Sequence, residues 1–362
     1  MLNNICLCMK YFIYGGPGIG DFILALPIAA ALKHHDPCCY IKMVTTSNKE
    51  HIKISRRLLA LQKYIDEIDY YSAKEIGHSL KFLKKNGFKK YDYGFVIQYT
   101  ANENTSVIPS KIVRIASKKT CGMRVPVKKA IKYDTYIEHV DGLRIASYPI
   151  KMLAAIGIKD EVGVDCLLNK DIILRYMPKI KYDQSLRNVI LCVGTAKVSF
   201  IVNGNNISAS SKNWPYEYWI QVANQLDKEG YNVFLLGGNK EKSECQVYFK
   251  FLSPTIHNLL GNCSIEESLA ILCIADIVVG ADTGLMHCAG ALGRPSLTLF
   301  GCTDFKEYLP LGNKSEYLTI SETCSPCFGT AHSVLCSHHK CMVNMKPDLV
   351  LSKIKSIINE NK

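Results

Sequence analysis

Four short stretches of this 362-residue chain carry residues able to do chemistry. The first is ADIVVGADTGLMHCAGALG, centred on Asp282-Thr283-Gly284. An aspartic protease carries its catalytic aspartate in such a triplet. A two-lobed protease needs two of them, because two carboxylates must share a proton, and this chain has one. Small apolar residues at helical spacing follow it, where a protease would be all-β. The same stretch also reads as an anion site. Thr283 and Gly284 would stand at a helix N-terminus, where unpaired N–H groups and the dipole favour negative charge. Gly284 would let a phosphate approach the backbone closely. Asp282 would cap the helix or hold a sugar hydroxyl, and His287, one turn on, would reach the same pocket. A plain capped helix with a buried histidine fits that spacing as well.

The second stretch is GGPGIGD near the N-terminus. Gly16, Gly18 and Gly20 before a helix suggest a phosphate or dinucleotide turn. No Gly-Lys-Ser/Thr follows, so it is not a Walker loop. The second strand ends in Thr45-Thr46-Ser47, without the acidic residue that a nicotinamide fold places there. Asp21 then stands out, either as a general base at the mouth of a cleft or as an ordinary acid at a helix start. The third stretch is SSKNWPYEYW, in which Lys212 precedes Trp214-Pro215 and a helix start. Such a lysine could reach a phosphate or lie on the surface. The fourth is the set Cys324, Cys327, Cys336 and Cys341, with His332, His338 and His339 interleaved. Paired thiols at this spacing suit a structural zinc or iron, or a cysteine-rich loop without metal.

These residues need elements to position them. Apolar runs of four to six residues alternate with amphipathic helices, which predicts an α/β fold with parallel sheets covered on both faces. One series starts at the N-terminus and another near Val189, with 169–186 read as a linker. We expect domains at 1–184 and 185–345, and a terminal helix over 346–362. Ligands of such sheets bind at the carboxyl ends of the strands, where both the glycine turn and the Asp282 triplet fall.

Net charge is +12, and it is uneven: residues 1–184 carry 29 Lys+Arg against 17 Asp+Glu, while the remainder carry 15 of each. Either these lysines are merely solvated or the first half meets an anionic partner. No nucleic-acid motif is present, and no apolar run is long enough to span a bilayer. The N-terminus does not read as a secretory signal. The expected location is therefore cytoplasmic, with most of the 16 cysteines as buried thiols.

Three segments together resemble glycosyltransferase family 9, the ADP-heptose:lipopolysaccharide heptosyltransferases. They are GDFILALPIAAALK, KNWPYEYWIQVANQL with YNVFLLGG, and ADIVVGADTGLMHCAGALGRPSLTLFGCTD. The tail CSPC…KPDLVLSKI is similar to that of many members. The resemblance implies a GT-B architecture of two doubly wound domains facing across a cleft, with acceptor on the first, sugar nucleotide on the second, and a last helix crossing back. It implies Asp21 as general base for an acceptor hydroxyl, beside the Gly18 and Gly20 loop. Lys212 would stabilise the leaving phosphate. Thr283 and Gly284 would hold a diphosphate, with Asp282, His287 and Thr195 lining the site and Glu241 meeting the ribose. Catalysis would need no cofactor, and configuration would invert. The implied donor is ADP-heptose. The implied acceptor is a phosphorylated lipid or glycan of the lipopolysaccharide core, with peripheral membrane contact through the basic half and no nucleic acid. A protein acceptor, a sugar-nucleotide epimerase and a non-catalytic metal-binding scaffold are the alternatives. The loop before Lys212 is longer than the family pattern, and residues 40–185 match no motif.

Overall fold

The computed structural model describes residues 8–46, 51–72, 76–97, 103–124, 132–140, 142–159, 162–164, 166–195, 198–202, 205–209 and 211–361. Contacts divide the chain into two units, Met1–Gly163 with Leu167–Asn169, and Val164–Cys166 with Lys170–Lys362. The division falls before residue 184, because the helix Lys170–Leu174 buries Ile173 and packs on the helix Ile265–Cys273 of the second unit. The stretch expected to be a linker thus largely belongs to that unit.

The first unit holds six parallel strands: β1 (Lys10–Gly15), β2 (Tyr40–Thr46), β3 (Glu67–Tyr71), β4 (Tyr91–Val96), β5 (Ser117–Met123) and β6 (Thr135–Ile137). Their order across the sheet is β3-β2-β1-β4-β5-β6. β1 is apolar throughout its middle because both faces are covered: Phe12, Ile13 and Tyr14 are fully buried.

The second unit repeats the plan with β7 (Asn188–Cys192), β10 (Asn232–Leu236), β11 (His257–Asn258), β12 (Ile277–Ala281), β13 (Ser296–Phe300) and β14 (Ser315–Thr319), in the order β11-β10-β7-β12-β13-β14. Each sheet therefore runs outward in both directions from its first strand, the doubly wound order with a switch point beside that strand. The extra length before Lys212 forms an antiparallel hairpin of β8 (Val198–Val202) and β9 (Asn205–Ala209), separate from the main sheet.

Small residues set the packing at the switch point of the second unit. A Cβ on Gly290 would lie 1.9 Å from the Leu311 carbonyl oxygen, so the helix Gly284–Ala291 approaches that backbone as only glycine permits. The terminal helix Pro347–Glu360 buries Val350, Ile354, Ile357 and Ile358 in the second unit's core, against the helix Tyr216–Lys228.

Candidate functional site

In the first unit the turn after β1 leads into the helix Ile19–His35, which starts two residues before Asp21. The Asp21 carboxylate folds back and accepts the Gly18 N–H at 2.9 Å. A Cβ on Gly16 would lie 2.4 Å from that carboxyl group, and one on Gly18 would lie 2.9 Å from it. These glycines therefore make room for a carboxylate at the end of β1. Gly20 lies in the first helical turn. The ordinary reading of Asp21 as a helix-start acid is true as geometry. It also fixes the side chain at a strand's carboxyl end beside the switch point.

The second unit shows a related device. The turn after β10 enters the helix Asn239–Cys245, and Glu241 accepts the Gly238 N–H at 2.9 Å. Its side chain fills the space where a Cβ on Gly194 would stand. Gly194 has φ +85, a left-handed conformation that glycine adopts without strain. Thr195 is buried and donates its hydroxyl to Asn213, whose amide donates to the Tyr216 hydroxyl at 3.2 Å. Lys240 reaches the Thr195 carbonyl at 3.1 Å.

Lys212 is placed by its neighbour. Trp214 is fully buried, stacks edge-on against Trp219 at 4.8 Å, and donates Nε1–H to the Met345 carbonyl at 2.8 Å. A buried indole with its N–H satisfied is a strong anchor. Pro215 caps the helix Tyr216–Lys228 rather than occupying its first turn. The anchor carries Lys212 to the end of β12, where Nζ meets Asp282 Oδ2 at 2.6 Å. Both side chains are largely buried, 15% and 7% exposed, so water screens the pair weakly.

Asp282-Thr283-Gly284 links β12 to the helix Gly284–Ala291, with Thr283 as its N-cap in extended conformation and without a side-chain cap bond. Thr283 Oγ1 and His287 Nδ1 are buried atoms with no hydrogen-bond partner among the described residues. Buried polar atoms are almost always paired. Two unpaired ones beside a helix N-terminus are what an anionic, hydroxylated ligand would satisfy. Burial lowers the pKa of His287; Asp282 opposes that shift and Lys212 adds to it.

Cys324, Cys327, Cys336 and Cys341 line one small pocket with Cys302, Ser211, His332 and His339. His338 Nδ1 lies 3.4 Å from Cys336 Sγ, at the edge of the group. Among the described residues, no three His, Cys, Asp or Glu side chains stand close enough together to ligate one metal ion.

Thr195, Lys212, Asp282, Thr283, Gly284 and His287 thus belong to one end of one sheet. Sequence reasoning missed Asn213, Lys240 and Cys302, and also Tyr308 and Phe328, whose ring centroids lie 5.8 and 4.4 Å from the Lys212 ammonium. Cys302 stands two residues past the end of β13, and its position just after a strand was the available signal. The aromatic residues carried none.

A family model described as glycosyltransferase family 9 (heptosyltransferase) matches residues 181–338. The lipooligosaccharide heptosyltransferase 2 of Campylobacter jejuni serotype O:2 is 23% identical over 98% of this chain and 99% of its own length. The lipopolysaccharide heptosyltransferase 2 of Salmonella typhimurium is 26% identical, over 41% of this chain and 44% of that protein. The structure of E. coli ADP-heptose lipopolysaccharide heptosyltransferase II superposes with a TM-score of 0.69 at 18% identity, covering 97% of this chain and 99% of that one. That likeness establishes the fold.

His287 makes a pH prediction. Its folded pKa lies below the ordinary value of 6.5, so the unfolded chain binds the proton more readily. The stability it permits is present above about pH 6.5 and is lost as pH falls through that value. The thermal midpoint should drop between pH 7.5 and 5.5, and His287→Gln should drop less. An equal drop in both proteins would rule out His287 as the source.

Proposed function

The chain belongs to glycosyltransferase family 9, and from that premise we propose that it transfers heptose from ADP-heptose to a phosphorylated acceptor of the lipopolysaccharide inner core. The observation that carries the donor half is the end of β12. A helix N-terminus, a largely buried lysine, and the unpartnered Thr283 Oγ1 and His287 Nδ1 lie together there.

In this reading the diphosphate lies across the N–H groups of Thr283 and Gly284. Lys212 turns from Asp282 to a phosphate oxygen, and Asp282 is freed to accept a sugar hydroxyl. Thr195 lies beside the same strand ends, and Glu241 is the candidate for the ribose. Glu241's bond to Gly238 means that it would approach the ribose through its remaining oxygen. Asp21 takes the proton from the acceptor hydroxyl. The oxygen attacks C1 as the C1–O bond to ADP breaks, and the electron pair leaves with the β-phosphate. Charge grows on that oxygen, where fixed dipoles and an ammonium stabilise it without reorganisation. One base and one displacement invert the anomeric carbon. Gly18 and Gly20 border the acceptor's end of the first unit.

The test is mass spectrometry of reactions containing ADP-heptose and either core lipid or protein acceptors, with a donor-only control. A heptose-sized gain on the core lipid is expected. Asp21→Asn should reduce turnover by about 10²–10⁴-fold, and Lys212→Ala by about 10²–10³-fold. A gain on protein alone would reassign the acceptor, and free sugar without an acceptor would make the chain an epimerase.

The thiol pocket supports a second element of the proposal, a structural zinc or iron held by Cys324, Cys327, Cys336 and Cys341. The donor atoms suit such a metal, but their present spacing does not form a ligand shell, and no step of the reaction passes through it. Elemental analysis should find about one zinc or iron per chain, lost in Cys324→Ser/Cys327→Ser. Metal-free protein with full stability would remove the site.

The basic half supports contact with an anionic bilayer from the cytoplasmic side. No described helix is long and apolar enough to cross a membrane. Phe88, however, is 83% exposed and held at φ 63, beside Lys89 at φ 56, and Leu80 is 66% exposed on the preceding helix Ile76–Asn86. An aromatic side chain displayed at a strained backbone position among Lys84, Lys85, Lys89 and Lys90 suits a lipid headgroup boundary. The chain should co-sediment with vesicles of anionic phospholipid and less so as Phe88→Ser. Equal sedimentation with neutral vesicles would refute this contact.

A further inference from the structure

We propose that Phe328, with Tyr308 beside it, is the positioning residue for Lys212. The Lys212 ammonium stands 4.4 Å from the Phe328 ring centroid and 5.8 Å from that of Tyr308, and 2.6 Å from Asp282 Oδ2. The two rings meet edge-on at 5.6 Å and bound one wall of the ammonium's surroundings. The inference rests on the reading of Lys212 as a phosphate contact, and adds what fixes that lysine in place.

The backbone explains why a ring is there. The N–H groups of Cys327 and Phe328 both donate to the Cys302 carbonyl, at 2.9 and 2.8 Å. This clamps the cysteine-bearing segment to the turn just after β13. The Cys302 thiol in turn lies 3.7 Å from the Ser211 hydroxyl, next to Lys212 in sequence. One clamp thus sets the ring and borders the segment that carries the lysine.

The physics separates the two kinds of partner. A carboxylate holds an ammonium by a directed, charge-assisted hydrogen bond. A ring face attracts it through its quadrupole and holds it over the face, without needing one of its N–H groups as a directed hydrogen-bond donor. When a phosphate replaces Asp282 as partner, the carboxylate bond is lost and the ring contact remains. Phe328 therefore keeps the ammonium near the diphosphate throughout the exchange and leaves its N–H groups to the phosphate. A lysine side chain without that wall would spread over many rotamers. The cysteine segment acts on the donor site through this ring.

The test is a mutant cycle read by ADP binding in calorimetry and by kcat and KM for the donor. Phe328→Leu should weaken ADP binding or lower kcat by about five- to tenfold, the size of a partly desolvated cation–ring contact. Phe328→Tyr and Phe328→Trp should restore wild-type values to within about twofold, because both keep a ring face. In a Lys212→Ala background, Phe328→Leu should change neither quantity more than about twofold, because the coupled group is gone. Tyr308→Leu should show a smaller loss with the same dependence on Lys212, and serves if Phe328→Leu does not fold. A Tyr or Trp variant no better than Leu would overturn the inference. So would a Leu effect that persists undiminished without Lys212, since that is the mark of plain packing. Lys212→Ala with unchanged ADP affinity and turnover would overturn the phosphate reading itself, and the inference with it.

Discussion

The second unit is organised around one ion pair, Lys212 with Asp282. It sits where water is scarce, so the attraction is strong, but so is the cost of leaving either charge alone. The surrounding structure meets that cost in identifiable ways. Trp214 pins the chain beside the lysine through its bond to the Met345 carbonyl. The extended Thr283 brings Asp282 out of β12 and into the start of a helix. The Phe328 and Tyr308 rings lie near the ammonium. In the proposed donor complex a phosphate would take the place of the Asp282 carboxylate at Lys212, since it offers the ammonium a negative charge in the same way.

The two units reach similar local solutions from different sequences. Each places an acidic residue at the third position of a helix that follows a strand and a glycine, and each acid accepts the N–H of that glycine. In the first unit the flanking glycines clear space for Asp21, and in the second Gly194 clears space for Glu241. A glycine-rich turn at a strand end is usually read as a place where backbone approaches phosphate. Here its immediate consequence is the close seating of a carboxylate. Each turn follows a strand at or beside a switch point, where ligands of such sheets generally bind.

The cysteine segment shows how a feature can be legible and still incompletely read. The spacing of Cys324, Cys327, Cys336 and Cys341 pointed to a structural metal; the four line one small pocket, but among the described residues no three possible ligands converge on one ion. Cys302 joins them from the end of β13, and His339 and Ser211 from other turns. Cys302 and Ser211 stand outside that spacing, because they arrive through the register of β12, β13 and the segment before Lys212. The same holds for Phe328, an unremarked aromatic until its ring is found over an ammonium.

What the sequence determined by itself is local in origin. Alternating buried strands and helices, the glycine turn before Asp21, the helix start at Thr283-Gly284 and the Pro215 boundary follow from periodicity, steric freedom and unpaired backbone groups, all written within about ten residues. The unusual length before Lys212 was also visible, though not that it would form a hairpin of its own. Tertiary structure alone decided which of these features meet. Lys212 and Asp282 stand 70 residues apart in the chain, and Phe328 is farther still. Their contact depends on β7, β12 and β13 lying in register with their carboxyl ends level, and on the Trp214 indole finding its carbonyl. Strand register and close packing are properties of the whole unit, because each strand's position is fixed by neighbours distant in sequence.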